Sequence, residues 1–343
     1  MKVGYYAKYS DQGPSSRFRV FQFVPYFRKA GVQLDIHVLF DDRYFDFLRM
    51  HSWDFRGFRK SFYVAGRFGR RIESLKRNEA DLFVIEHQLF PYLPFGIERK
   101  FLPERYLLEF DDAIYLTHPK KIPEMVRHAT GVIVGNPFLA DYARKYHERV
   151  YVIPTVLDTD RFQPALRLQK DKIVVGWSGL EYNFKYLKTI ATVLARLLER
   201  YPVEILILSG SPPKDFSFPY RFEKWSSERE TEQISRFDIG LMPLEWDEWC
   251  RGKCGMKLLQ YMSLQIPSVS TPVGVNSEII RDRENGLLAG TPQEWEERLS
   301  ELIESAELRK SMGEAARKTV VESYSVQRWF PQILEIYERH ARS

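Results

Sequence analysis

Cysteine is nearly absent: the 343 residues hold two, Cys250 and Cys254. A disulfide scaffold is excluded, and a reducing, cytoplasmic setting is expected. Long apolar runs are missing too. None approaches the roughly 18 residues of a membrane span, and the Met1-Lys2-Val3-Gly4 start carries no signal-peptide core. No internal repeat recurs at a fixed period. Charged residues make up 28% and hydrophobic residues 44%, ordinary values that exclude a disordered, collagenous or coiled-coil chain. Neither a G-x-S-x-G elbow, a G-x-x-x-x-G-K-[ST] loop, an H-E-x-x-H pair nor the kinase motif set occurs.

What the chain has in excess is aromatic: 24 Phe, 19 Tyr and 7 Trp. Its positive charge is also uneven. Residues 1–165 carry 26 Lys and Arg against 20 Asp and Glu, whereas 166–343 carry 25 against 26. Within the first half, 43–77 holds ten cations and three acids, interleaved with Phe45, Phe47, Leu48, Met50, Trp53, Phe55, Phe58, Phe62, Tyr63, Val64 and Phe68. Cations among rings suit an anionic membrane surface, with the protein peripheral on the inner face of the plasma membrane. The same residues also read as helices inserted in a domain core. Nucleic acid is disfavoured as a partner, because no other binding motif accompanies the stretch.

Short apolar runs alternate with helical patterns. Strands are predicted at Lys2–Tyr6, 34–39, Leu82–Glu86, 106–110, 132–134 and 150–153, with helices at 16–30 and 138–146, the latter capped by Asn136. The pattern restarts with strands at 173–177, Val203–Ser209, Ile239–Met242 and Ser268–Ser270, and a helix at 184–200. Three helical patterns close the chain, at 292–305, 308–321 and 326–340. The fold class is α/β: two Rossmann-like domains in tandem with a cleft between them, 1–165 and 166–325, and a hinge near 165.

In such sheets ligands bind at the carboxyl ends of the strands, which singles out five loops. The first, Tyr9 to Arg17, offers Gly13 for close approach, Ser15 and Ser16 as caps, and Arg17 and Arg19 as cations. The second pairs Gly179 with Lys185 near the next helix start. The third, Trp249 to Met262, joins Gly252 and Gly255 to Arg251, Lys253 and Lys257, a cradle for phosphate. Its C-x₃-C pair lacks further ligands for zinc, so two free thiols and no metal are expected. The fourth carries Gly274, Val275, Asn276 and Glu278; a carboxylate in a first turn also suits the helix dipole. The fifth ends in Asp111 and Asp112, beside His87 on the preceding strand. Paired acids there serve as a base, a metal ligand or a cap.

Loops two to four together resemble the nucleotide-sugar half of a family 4 glycosyltransferase of GT-B architecture. The likeness rests on the run from Gly255-Met256-Lys257 to Pro267-Ser268-Val269, and on Gly274-Val275-Asn276-Ser277-Glu278-Ile279-Ile280 with Asn285-Gly286-Leu287-Leu288. It implies a retaining, metal-independent transferase, with no cofactor beyond its nucleoside-diphosphate sugar. The donor then lies on Gly179, Lys185, Lys253, Gly255, Lys257, Gln260, Gly274, Val275, Asn276 and Glu278. The acceptor, a glycan or lipid-linked sugar of bacterial surface polysaccharide assembly, faces Gly13, Ser15, Arg17, His87, Asp111 and Asp112. Glu278, Lys257, Lys185, Asp111 and His87 are the residues implied in catalysis. A closing helix, 326–343, is implied to cross back onto the first domain. Two departures stand out: the family's paired glutamates fall on Gly252 and Gln260, and its phosphate-binding arginine on Leu180. A nucleotide-sugar epimerase and a non-catalytic nucleotide-sugar-binding component are the rival readings.

Overall fold

The computed structural model describes residues 1–49, 56–164 and 171–342. Met50, Trp53, Phe55 and the expected hinge at 165 lie outside the described residues. The chain forms two compact units, Met1–Thr155 with Trp329–Ser343, and Val156–Arg328. The division falls at 155/156, ten residues before the expected position.

The first unit is built on a parallel sheet of six strands: β1 (Lys2–Tyr6), β2 (Gln33–Ile36), β3 (Leu82–Glu86), β4 (Leu107–Phe110), β5 (Gly131–Val134) and β6 (Val150–Val152). Their order is β2-β1-β3-β4-β5-β6. Strands β4 and β5 are wholly buried, as expected of parallel strands covered on both faces. The helix expected over 16–30 is broken into Pro14–Arg19, a tight turn at Phe21–Phe23 and Val24–Lys29. Pro25 explains part of this, since it lacks an N–H and restricts the residue before it. Asn136 caps Pro137–Ala143 as predicted, its Oδ1 accepting from the Leu139 N–H at 2.9 Å.

The second unit has strands β7 (Ile173–Ser178), β8 (Val203–Ser209), β9 (Arg221–Lys224), β10 (Ile239–Met242), β11 (Ser268–Ser270) and β12 (Leu287–Leu288), all parallel. Their order, β12-β11-β10-β7-β8-β9, is that of a dinucleotide-binding Rossmann sheet. Its core gathers Trp177, Leu194, Leu197, Ile207, Leu241 and Trp295. The pattern over 184–200 resolves into Phe184–Lys188 and Ala191–Arg200.

The closing helix Val326–Arg342 contributes its last turns to the first unit. Phe330 and Tyr337 pack on Phe27 at ring distances of 5.0 and 5.3 Å, and the Arg105 guanidinium donates to the His340 carbonyl. Among the described residues, no helix is long and apolar enough to cross a membrane.

Helix Arg56–Arg77 carries most of the basic stretch and divides it by face. Arg67 and Arg71 turn inward. Arg67 donates to the Leu39 and Val38 carbonyls at 2.6 Å, and Arg71 to the Ala7 and His37 carbonyls at 2.5 and 2.7 Å. Phe68 packs on Phe90, and Tyr63 donates to Asp41. Arg59, Phe62, Arg70 and Lys76 remain outside, with Phe62 63% exposed. The stretch is thus part core and part surface.

Candidate functional site

Strand order reverses between β7 and β10 in the second unit, and ligands of open α/β sheets bind at the carboxyl ends of the strands beside such a point. The Ser178 N–H ends β7 by donating to the Tyr261 hydroxyl at 3.0 Å, which ties helix Met256–Ser263 to the strand end. Gly179 follows. A Cβ there would lie 2.9 Å from Lys257 Cε, so the lysine stem runs alongside bare backbone. The Lys257 ammonium sits over the Trp177 ring, 5.6 Å from its centre.

Two further lysines gather around one ring. Lys185 and Lys253 lie 4.7 and 5.6 Å from the centre of Tyr186. Burial pushes the Tyr186 hydroxyl upward, reinforced by its hydrogen bond with Cys250. The two cysteines are free thiols, Cys250 buried and Cys254 half-buried. Sequence separates these lysines by up to 72 positions, and the fold brings all three to one end of one sheet. Lys185 also pairs with Glu245, a partner the sequence did not suggest.

The two glycine turns interlock. Gly255 opens helix Met256–Ser263 with φ 68°, and Gly274 has φ 56°. A methyl on Gly274 would meet the Arg251 carbonyl oxygen at 2.7 Å; one on Gly255 would meet Ile279 at 2.4 Å. The loops after β10 and β11 therefore close on each other through backbone that only glycine leaves free. Asn276 is buried and donates to the Thr271 carbonyl, leaving its Oδ1 unpartnered beside Gly255. Gln260 is buried too, with Nε2 unpartnered. Val275 is just buried, and Glu278 is exposed on the short turn Asn276–Ile279. Burial raises the Tyr324 hydroxyl, and the Glu278 charge adds to it.

In the first unit the order reverses between β1 and β3. His87, at φ 61°, follows β3 and meets the Asp111 carboxylate with Nε2 at 3.0 Å. Ser15 donates to Asp111 as well. Burial would raise the Asp111 carboxyl, but the His87 hydrogen bond and the charges of His87 and Arg19 outweigh it and hold it below its ordinary value. Ser15, His87 and Asp111 thus converge from three neighbouring strand ends, with Asp112 half-buried beside them.

Part of the first loop is structural rather than available. The Ser16 hydroxyl donates to buried Glu86 instead of capping, and Gly13 holds the N-cap position without a side-chain bond. Arg19 donates to Glu109 and to the Ile153 carbonyl, and Arg17 is 5% exposed against Phe18. Both arginines, which the sequence offers as cations of this loop, are buried. Among the described residues no three His, Cys, Asp or Glu side chains gather as metal ligands.

The second sheet is doubly wound, with Lys185, Lys253 and Lys257 near its switch point. Residues 158–319, which lie within the second unit, match the model of glycosyl transferases group 1. The whole fold is of GT-B type. The chain is similar over 99% of its length to a glycosyltransferase from Rickettsia africae, with TM-score 0.70, 14% identity and 98% of that chain covered. Similarity to sucrose-phosphate synthase from Thermosynechococcus elongatus reaches TM-score 0.73 at 14% identity, over 99% of this chain and 98% of the other. Anabaena Alr3699/HepE in complex with UDP-glucose gives TM-score 0.73 at 14% identity, over 99% and 100%. Among curated proteins, it is 24% identical over 208 residues to the putative glycosyltransferase EpsD of Bacillus subtilis, 54% of this chain and 53% of that one. It is 35% identical over 86 residues to the uncharacterized glycosyltransferase MJ1178 of Methanocaldococcus jannaschii, 24% of each. The chain thus spans about half the length of EpsD and a quarter of MJ1178.

Proposed function

We propose that this protein is a glycosyltransferase that moves a sugar from a nucleoside-diphosphate sugar to a glycan or lipid-linked acceptor, with retention and without a metal. The observation that carries this reading is the gathering of Lys185, Lys253 and Lys257 at the switch point of the second sheet. Charge-assisted contacts are worth about 1.5–3 kcal/mol each, so such a set can hold a leaving diphosphate. The complex of the similar HepE fold with UDP-glucose supports a donor of this kind. In this reading Gln260, Asn276 and Glu278 meet the donor's ribose or sugar, and Ser15, His87, Asp111 and Asp112 position the acceptor hydroxyl. A role in surface polysaccharide assembly belongs to the same proposal.

A thermal-shift panel of nucleotides tests the donor, since a bound ligand stabilises by RT ln(1 + [L]/Kd). No shift with any nucleoside diphosphate removes the donor site. Incubation with the donor alone then separates the rivals: its conversion to an isomer means an epimerase, while turnover only with an acceptor means a transferase.

Attachment to an anionic membrane is the second part of the proposal, resting on Arg59, Phe62, Arg70 and Lys76 on the outer face of their helix. Each cation near such a surface contributes about 1 kcal/mol. Co-sedimentation with anionic vesicles should fall with salt, and with Arg59, Arg70 and Lys76 reversed to Glu. Wild-type protein that stays in the supernatant at low salt ends this part.

A further inference from the structure

The Lys185 ammonium lies 2.8 Å from Oε2 of Glu245. Lys185 stands on the helix after β7 and Glu245 on the loop after β10, so their pair bridges the two strand ends that flank the switch point. Their side chains are 53% and 39% exposed, and exposed pairs hold weakly and exchange readily. Asp247 also acts on the Lys185 charge, but its own oxygen is engaged in capping helix Glu248–Arg251. Glu245 is therefore the acid that directly occupies the lysine.

We propose that Glu245 makes this site prefer a nucleoside-diphosphate sugar over the free nucleoside diphosphate, by giving up Lys185 to the diphosphate and then facing whatever the terminal phosphate carries. The inference rests on the donor reading above. Once a phosphate takes Lys185, the Glu245 carboxylate is left beside it without its counter-charge. A free terminal phosphate bears an additional negative charge, and two anions at close range repel. In the sugar ester that charge is gone, and hydroxyl donors stand where a carboxylate accepts them. One side chain thus disfavours the product and accommodates the substrate, a specificity built from repulsion as much as attraction.

Calorimetric binding of UDP and UDP-glucose, GDP and GDP-mannose, and ADP and ADP-glucose tests this, using whichever pair binds the wild type. Glu245→Gln should bind the free diphosphate about three- to fivefold more tightly and the nucleotide sugar no more tightly, with Glu245→Ser repeating the shift. Lys185→Gln should weaken both ligands. Equal tightening of both ligands by Glu245→Gln, or no change in either, overturns the proposal while the wild type's binding keeps the donor reading standing. A wild type that binds none of the six overturns the donor reading and this inference with it.

Discussion

Gly274 and Gly255 show how much of the site rests on single backbone conformations. The left-handed region costs an L-residue about 1–2 kcal/mol, so alanine destabilises at either position. The obstacles differ. At Gly274 the methyl meets a backbone carbonyl, which cannot swing away; at Gly255 it meets the tip of Ile279, which can. Gly274→Ala should therefore lose more stability than Gly255→Ala in denaturant unfolding, and equal losses would contradict this packing. Lys257→Ala should weaken nucleoside-diphosphate binding by about 1.5–3 kcal/mol, read by calorimetry. Glu278 is exposed, so Glu278→Gln should lower turnover at an unchanged melting temperature; early unfolding with normal specific activity would make it a structural residue. The three lysines were legible in the sequence because a glycine turn followed by a cation at a helix start is a local pattern. Glu245 was not, because its partner lies 60 positions away and only the sheet order brings them together. Which cations of 43–77 turn inward was not legible for a related reason: Arg67 and Arg71 donate to backbone carbonyls, which no side-chain pattern announces.

At the scale of elements, the loop that follows β3 is held by a buried ion pair. Glu98 accepts from the Leu89 and Phe90 N–H groups, and Lys121 donates to the Phe90 and Leu93 carbonyls. Their side chains are 0% and 6% exposed, so neither charge has water to fall back on. Removing one partner of such a pair costs roughly 3–5 kcal/mol. Glu98→Gln should fall in that range in denaturant unfolding, and adding Lys121→Met should recover part of it. Helix Arg56–Arg77 meets the loop after β2 through Asp41, whose carboxyl is held at about 2, chiefly by the Arg43 hydrogen bond, with Tyr63 and Arg67 adding to it against burial. A depressed carboxyl stabilises above its unfolded value near 4 and loses that contribution as pH falls towards about 2. Acid unfolding of Asp41→Asn should lack this loss; curves that superimpose would show the contacts to be idle. Strand prediction succeeded where strands are apolar on both faces, as in β1, β3, β8 and β10. It missed β9, whose Arg221-Phe222-Glu223-Lys224 sequence is that of a charged edge strand with one neighbour, β8.

At the scale of the whole molecule, the second Rossmann unit is continuous in sequence and the first is not. Both sheets were legible from alternating patterns. The route of the chain between units was legible only through a family likeness, because a helix pattern states which face is apolar and not which core it enters. The discontinuity bears on synthesis. A nascent chain emerges in order, at about 5–20 residues per second, so residues 1–155 wait roughly ten to forty seconds for the segment that completes them. Until Phe330 and Tyr337 arrive, Phe27 has no cover from them, whereas residues 156–328 already have every strand of their sheet. The later-made unit should thus reach its final state first, and the earlier one should depend on chaperones during the interval. Ribosome-bound chains stalled with residue 328 exposed should resist protease across the second unit and yield across the first, and uniform resistance would mean that the first unit closes without its last helix.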